Sequence, residues 1–305
     1  MRKKIVIGSR GSLLALTQTN HVADMLKEAQ PGLEVNVEVI STRGDRIQDK
    51  PLAEIGGKGL FTEELEAVLR DGAIDLAVHS LKDLPTDNPE GLAVWATPKR
   101  VTPNDALVCA KWKSLDALPS DAAVGTSSLR RKAQLLAVKP ELEIVDLRGN
   151  IDTRMRRVTD GDIDAAILAC AGIERIGRGE AITEVLPPEI MLPACGQGAL
   201  GIQCRAEDPE VRALLERIHH PASAAEVAAE RSFLNHLGSG CQVPIGALAV
   251  VSEERLSMRG CVCSLDGARI IHVEIEGGLE EAEVLGRDAA LEVIENGADK
   301  IIASI

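Results

Sequence analysis

The sequence contains no tyrosine, only two phenylalanines and only two tryptophans in 305 residues. A chain this poor in aromatic rings offers no stacking platform for nucleic-acid bases. Its core has to be assembled from Leu, Ile, Val and Ala, within an apolar fraction of 45%. Long apolar runs are also lacking. Nothing approaches the ~20 residues of a membrane span. The basic start MRKKIVIGSRGS carries only Ile5, Val6 and Ile7 as an apolar stretch, far short of the roughly 7–15 residues of a signal-peptide core. The expectation is a soluble, cytoplasmic protein with no membrane partner. There is no CxxC and no HExxH. The seven cysteines, at 109, 170, 195, 204, 241, 261 and 263, are odd in number and scattered, so neither a disulfide framework nor a structural metal site is expected. An excess of positive charge is missing too: the net charge of −13 argues against nucleic acid as a partner.

What is present is a chain long enough for two or three domains. A recurring unit runs through its first two thirds: a short β-branched run, a polar turn, then a stretch with helical period. Lys4 to Ile7 leads through Gly8 to Ser12 into Leu13 to Ala29. Ile74 to Val78 leads into HSLKDLPT. Ala122 to Gly125 leads through Thr126 to Ser128 into a helix starting near Leu129. Ile144 to Leu147 leads into another, with Asn150 or Asp152 as N-cap. Ile163 to Leu168 leads into a helix around Ile173 to Ile176. Alternating strands and helices imply a mostly parallel sheet covered on both faces, with ligands outside the carboxyl ends of the strands. The last third differs. A helix over Ala222 to Leu237 ends at Gly238. Strand-like runs at Gly246 to Val251, Glu254 to Cys263 and Ala268 to Ile275 follow, then a helix from about Leu279 to Asn296. That order reads as a small α+β domain. Ser41 to Gly59 reads as a long, charged, glycine-rich loop, a functional lid or a disordered stretch.

Several constellations bear on chemistry. Between Ser128 and Arg157 stand eight cationic residues against four acidic ones, a positive island in an acidic chain. Arg130, Arg131, Arg148 and Arg154 fall in the first turns after strand ends, where free helix N–H groups favour anions. Arg10 in GSRGS occupies a similar place. Arginine's planar fork suits carboxylate or phosphate, although solvated helix faces would also hold these charges. In His79-Ser80-Leu81-Lys82-Asp83-Leu84-Pro85, an acid and a base lie side by side: Asp83 as a general acid or cation stabiliser with Lys82 on an anion, or simply a surface turn. Gly56-Gly57-Lys58-Gly59 lacks the P-loop spacing and reads as a hinge. Cys241, within GSGCQVPIG, stands open to three readings: a nucleophile paired with His236, a buried structural thiol, or a thiol displayed on a loop with room for something bulky.

Seven segments, in order along most of the chain, resemble the porphobilinogen deaminase family: SRGSLLAL at 9–16, GGKGLFTEELE at 56–66, HSLKDLPT at 79–86, GTSSLRRKAQL at 125–135, LRGNIDTRMRR at 147–157, GQGALGIQ at 196–203 and GCQVPIG at 240–246. The resemblance implies an α/β architecture of two periplasmic-binding-protein-like, doubly wound lobes around a cleft, plus a small α+β C-terminal domain. Its implied boundaries are 1–97 with 198–218, 98–197, and 219–305. It implies a monomeric transferase that condenses four porphobilinogens head to tail, with loss of ammonia, into hydroxymethylbilane for porphyrin and heme biosynthesis. A dipyrromethane cofactor, attached by a thioether to Cys241, would prime the chain. Asp83 becomes the catalytic residue by the same match. Lys82, Thr126, Ser128, Arg130, Arg131, Arg148 and Arg154 become cofactor-binding candidates. Arg10, Ser12, Ser80, Arg148, Arg154 and Arg175 become substrate-binding candidates, with no metal. Two rival classes stand beside this one: a non-catalytic two-lobed carboxylate-binding module, and a cysteine-dependent hydrolase. Ser239, Cys195 and Cys170 depart from the family pattern without touching a named role.

Overall fold

The computed structural model describes residues 2–46, 62–238 and 243–305. The chain divides into two compact units, Met1–Arg100 with Ala199–Ala224, and Val101–Gly198 with Ala225–Ile305. Among the described residues, no helix is long and apolar enough to cross a membrane.

The first unit is built on five strands: β1 (Lys4–Ser9), β2 (Glu34–Val39), β3 (Leu76–Ser80), β4 (Leu92–Ala96) and β10 (Leu200–Arg205). Their order is β2-β1-β3-β10-β4. β1 runs parallel to β2 and β3, while β10 runs antiparallel to β3 and β4. Ile5, Ile7, Leu76 and Ile202 pack with Val22 and Leu26 of the helix Leu13–Ala29 on one side. Leu65 and Leu69 of the helix Glu63–Arg70 cover Ile74 and Ala77 on the other.

The second unit repeats this plan with β5 (Asp105–Cys109), β6 (Ala123–Gly125), β7 (Glu143–Val145), β8 (Ala165–Ala169) and β9 (Glu184–Val185). The order is β7-β6-β8-β5-β9, and β5 is the antiparallel member. In each sheet four of the five strands run one way and one is reversed, so the sheets are mostly parallel, as expected, with a single antiparallel member that the sequence did not announce. In each, the reversed strand is the one the chain enters straight after passing from one unit to the other, at Val101 before β5 and at Ala199 before β10. Hydrophobic pattern reports burial of a strand and not its direction, so the sequence carried no sign of the reversal.

The same unit also holds an antiparallel meander, β11 (Ile245–Ser252), β12 (Arg255–Cys263) and β13 (Ile270–Gly278). One face packs on the helices Pro221–His236 and Ala282–Glu295 through Phe233, Met258, Val262 and Ala289. The architecture is thus two α/β lobes of one topology and a small α+β C-terminal domain. The free edge of β11 is closed by carboxylates: Glu230 accepts from the Ala249 amide at 2.9 Å and Glu226 from Val251 at 3.1 Å. Gly198, at φ +84, lies where a Cβ would come within 2.6 Å of the Val101 carbonyl oxygen.

The helix Leu13–Ala29 starts and ends where its sequence pattern places it. β3 begins at Leu76 and runs to Ser80, two residues further than the apolar run suggests, which makes His79 and Ser80 strand residues. The helix expected around Ile173 occupies Cys170–Arg175. Of the loop expected over 41–59, Arg43–Arg46 forms a helical turn; Gly56, Gly57, Lys58 and Gly59 lie outside the described residues, as do Ser239 and Cys241.

Candidate active site

In the first unit the carboxyl ends of β1 and β3 carry the candidate residues. Ser12 caps the helix Leu13–Ala29, its hydroxyl oxygen accepting from the Ala15 amide at 3.3 Å. A capping serine uses a lone pair on the helix and keeps its O–H to donate outward. Beyond β3 the chain turns through a single 3-10 turn, Leu81–Asp83, pinned by the buried Leu81 side chain and by the Leu81 amide on the Ala199 carbonyl at 3.1 Å. The pinned turn leaves Asp83 exposed, with Lys82 half-buried beside it. A small cavity of about 60 Å³ is lined here by Arg10, Ser12, Gln18, Thr62, His79, Ser80 and Asp83. The Ser80 hydroxyl lies 2.9 Å from the Gln18 amide nitrogen. Asp83 is the one carboxylate among the described lining residues; the rest of the polar lining is rich in donors.

In the second unit the ends of β6, β7 and β8 carry the other candidates. Thr126 is buried, and its hydroxyl accepts from the Ser128 amide at 3.2 Å. Ser128 caps the helix Leu129–Val138, accepting from the Arg131 amide at 3.4 Å. Asn150 caps Ile151–Thr159 in the same way, from Thr153 at 2.8 Å, which settles the choice between Asn150 and Asp152. Arg148 pairs with Asp146 at 2.7 Å in an exposed setting. Arg154 donates to the Gly149 carbonyl at 2.9 Å. Burial would raise the Asp146 pKa, but the Arg148 and Ser127 hydrogen bonds and the charges of Arg148 and Arg154 bring it below the usual carboxylate value. Arg175 donates to the Gly198 carbonyl at 2.8 Å, and burial lowers its pKa to about 10.

Arg130 and Arg131 are not on a solvated helix face. Both are buried and converge on Asp105 at the start of β5. Asp105 accepts from Arg130 Nη1 at 2.7 Å, from Arg131 Nε and Nη2 at 3.0 and 2.7 Å, and from Gln197 Nε2 at 2.9 Å. Arg130 also donates to the Leu192 carbonyl and Arg131 to the Ile167 carbonyl. Burial on its own would raise the Asp105 pKa; the two guanidiniums outweigh it and hold the carboxyl well below the usual range. Two cations against one anion leave this cluster with one net positive charge.

The structure therefore brings Arg10, Ser12, Ser80 and Asp83 to one pocket, Arg130 and Arg131 to one carboxylate, and Arg148 and Arg154 to the surroundings of Asp146. Sequence reasoning passed over Asp105, Gln197, His79 and Gln203. A signal existed for two of them: Asp105 opens the apolar run DALVC and Gln203 interrupts LGIQC, and a polar residue inside a buried strand implies a buried partner. Each unit by itself offers donors suited to carboxylates: Arg10 with two hydroxyls in the first, and Arg148 and Arg154 beside a net-positive buried cluster in the second. The dipyrromethane, whose rings bear such carboxylates, fits this donor chemistry. Its expected anchor, Cys241, lies outside the described residues.

Comparison with known proteins agrees with this chemistry. Residues 5–213 match the model of the porphobilinogen deaminase dipyrromethane cofactor binding domain, and residues 224–295 match that of the porphobilinogen deaminase C-terminal domain. A porphobilinogen deaminase of Pelotomaculum thermopropionicum is 49% identical over 302 residues, covering 99% of this chain and 97% of that one. Another, of Carboxydothermus hydrogenoformans, is 47% identical over 305 residues, covering 100% and 98%. Among solved structures, the periplasmic VFT2 domain of Bordetella pertussis BvgS is similar with a TM-score of 0.42 and 15% identity, over 71% of this chain and 87% of that one. With family models matching both its N-terminal two thirds and its C-terminal domain, and near-half identity end to end, the chain belongs to the porphobilinogen deaminase family.

Proposed function

We propose that this enzyme joins four porphobilinogens head to tail into the linear tetrapyrrole hydroxymethylbilane, with Asp83 at the reacting centre. The observation that carries the assignment of Asp83 is its place as the one carboxylate among described donors at the mouth of β3. Porphobilinogen carries an acetate, a propionate and an aminomethyl group. Arg10, with the outward hydroxyl of Ser12 and that of Ser80, binds the carboxylates through charge-assisted hydrogen bonds. Asp83 pairs with the ammonium. The carbon–nitrogen bond breaks, ammonia leaves with its electron pair, and the cationic carbon left behind faces the Asp83 carboxylate, where negative charge stabilises the developing cation. The bond to the next pyrrole forms at that carbon, and the attacking ring carbon gives up its proton to the Asp83 carboxylate.

When bound through Cys241, the dipyrromethane supplies the free pyrrole position at which the first ring is added. Lys82, Thr126, Ser128, Arg130, Arg131, Arg148 and Arg154 are the side chains we assign to its carboxylates and those of the growing chain. Arg175 is assigned to the substrate. We read the second unit as a lobe plus a small domain, giving three domains in all, and place the protein in the cytoplasm as a monomer.

Denatured intact mass of the purified protein beside Cys241→Ser tests the cofactor. The expected result is an added mass of two porphobilinogen units less their ammonia, in the parent and not in the variant. A parent that stays unmodified after incubation with porphobilinogen, and releases no ammonia, refutes the assignment in favour of a carboxylate-binding module.

A further inference from the structure

His79 lines the same pocket as Arg10, Ser12, Ser80 and Asp83, yet has no part in the reading above. Its Nε2 lies 3.2 Å from Gln203 Oε1 on β10, and Gln203 Nε2 lies 3.4 Å from Glu66 Oε1 on the helix Glu63–Arg70. The three residues are 6%, 0% and 8% exposed, so water does not arbitrate their roles. Those roles follow from chemistry. A carboxylate only accepts, so the amide nitrogen of Gln203 faces Glu66. The amide oxygen then faces the imidazole, and it too only accepts. Nε2 therefore carries the ring hydrogen, and in a neutral imidazole Nδ1 presents its lone pair. The ring is held neutral: burial foremost, then the Arg10 charge, outweigh the Gln203 hydrogen bond and bring its pKa down to about 4. Among the described residues, Nε2 is the ring nitrogen with a hydrogen-bond partner, and Nδ1 has none.

The pocket's inventory gives this lone pair a use. A monopyrrole with two carboxylates and an aminomethyl group presents two kinds of N–H donor, the ring N–H and the ammonium. Arg10, Ser12, Ser80 and Gln18 serve the carboxylates, and Asp83 accepts from the ammonium, which leaves the ring N–H. We propose that His79 is a substrate-binding residue whose Nδ1 accepts a hydrogen bond from the pyrrole ring N–H, with Gln203 and Glu66 fixing the tautomer that makes this possible. The proposal rests on reading the pocket as the porphobilinogen site. It extends that site by one acceptor and by two positioning residues behind it.

Two amide variants separate this role from a purely structural one, because each places its amide where a different ring nitrogen stood. His79→Asn keeps an acceptor near Nδ1 and abandons Gln203. His79→Gln reaches Gln203 and leaves the Nδ1 position empty. The expected outcome is that His79→Asn keeps kcat/KM for porphobilinogen within about threefold of the parent, while His79→Gln loses about tenfold, mostly through KM. The urea midpoints should order the other way, with His79→Gln the more stable. A His79→Gln enzyme as active as the parent, or a folded His79→Asn enzyme as impaired as His79→Gln, overturns the proposal. Gln203→Met removes the tautomer lock without altering the pocket wall; a two- to fivefold rise in KM is expected, and an unchanged KM overturns the locking role. A parent that carries no two-pyrrole mass and releases no ammonia defeats the reading of the pocket itself, a different failure from either of these.

Discussion

Replacing Asp105 with asparagine keeps its volume and removes the negative charge on which two buried guanidiniums converge. The four donors now meeting two carboxylate oxygens would meet one amide oxygen. Either Arg130, or Arg131 with Gln197, must then face an NH2 group. The two arginine side chains are 5% and 7% exposed, so hydration does not make good the loss. Removing one partner of a buried pair costs about 3–5 kcal/mol. At roughly 2–4 °C per kcal/mol for a unit of this size, the thermal midpoint should fall by about 6–20 °C. Urea unfolding followed by far-UV circular dichroism measures the same loss at neutral pH. The sign with pH is also determined. A carboxyl whose folded pKa is depressed contributes stability above its ordinary value of 3.8, and that contribution disappears as pH falls below it. The gap between parent and Asp105→Asn should therefore narrow in acid. A loss under about 1 kcal/mol at pH 7, or a gap that widens below pH 3.8, would refute the account of Asp105 as the anion that holds both arginines.

Three further outcomes are expected. His79 protonates less readily folded, at about 4, than at its ordinary 6.5, so the protein should lose up to about 3 kcal/mol of stability as pH falls through that interval; urea titrations in which His79→Gln shows the same pH slope would contradict it. Asp83→Asn, at an exposed position, should leave the urea midpoint within about 0.5 kcal/mol of the parent while steady-state ammonia release falls by at least ~100-fold. Gly198→Ala would force a left-handed residue and a Cβ against the Val101 carbonyl oxygen, and should lower the thermal midpoint by the equivalent of about 1–3 kcal/mol; an unchanged midpoint would show that the backbone relaxes there.

Much of the site could be read from the chain because its signals are local. Strand, polar turn and capped helix follow one another within about fifteen residues, so Ser12 and Ser128 could be assigned to helix starts from their neighbours, and a third start could be narrowed to Asn150 or Asp152. Asp83 and Arg10 could be assigned to strand ends for the same reason, and the ordered motifs carried the family. The partners of these residues were not legible. Arg130 and Arg131 could be read as anion-binding groups at a helix start or as solvated cations, but not as partners of a buried carboxylate, since nothing near them in sequence announces one; Asp105 is 25 positions before Arg130 and Gln197 is 92 from Asp105.

By itself the sequence determined the alternation of strands and helices, the poverty of aromatic rings in the core, the excess of arginine after the sixth and seventh strands, and the membership of one enzyme family. These depend on residue type and short spacing, which a linear chain displays in full. Only the tertiary structure decided that β5 and β10 run against their neighbours, that two candidate arginines share one buried anion, and that Gln203 and Glu66 stand in a row behind His79 of the pocket wall. Those facts arise from groups up to 137 residues apart, brought together by burial. Once water is excluded, each donor must find an acceptor, and the fold determines which one.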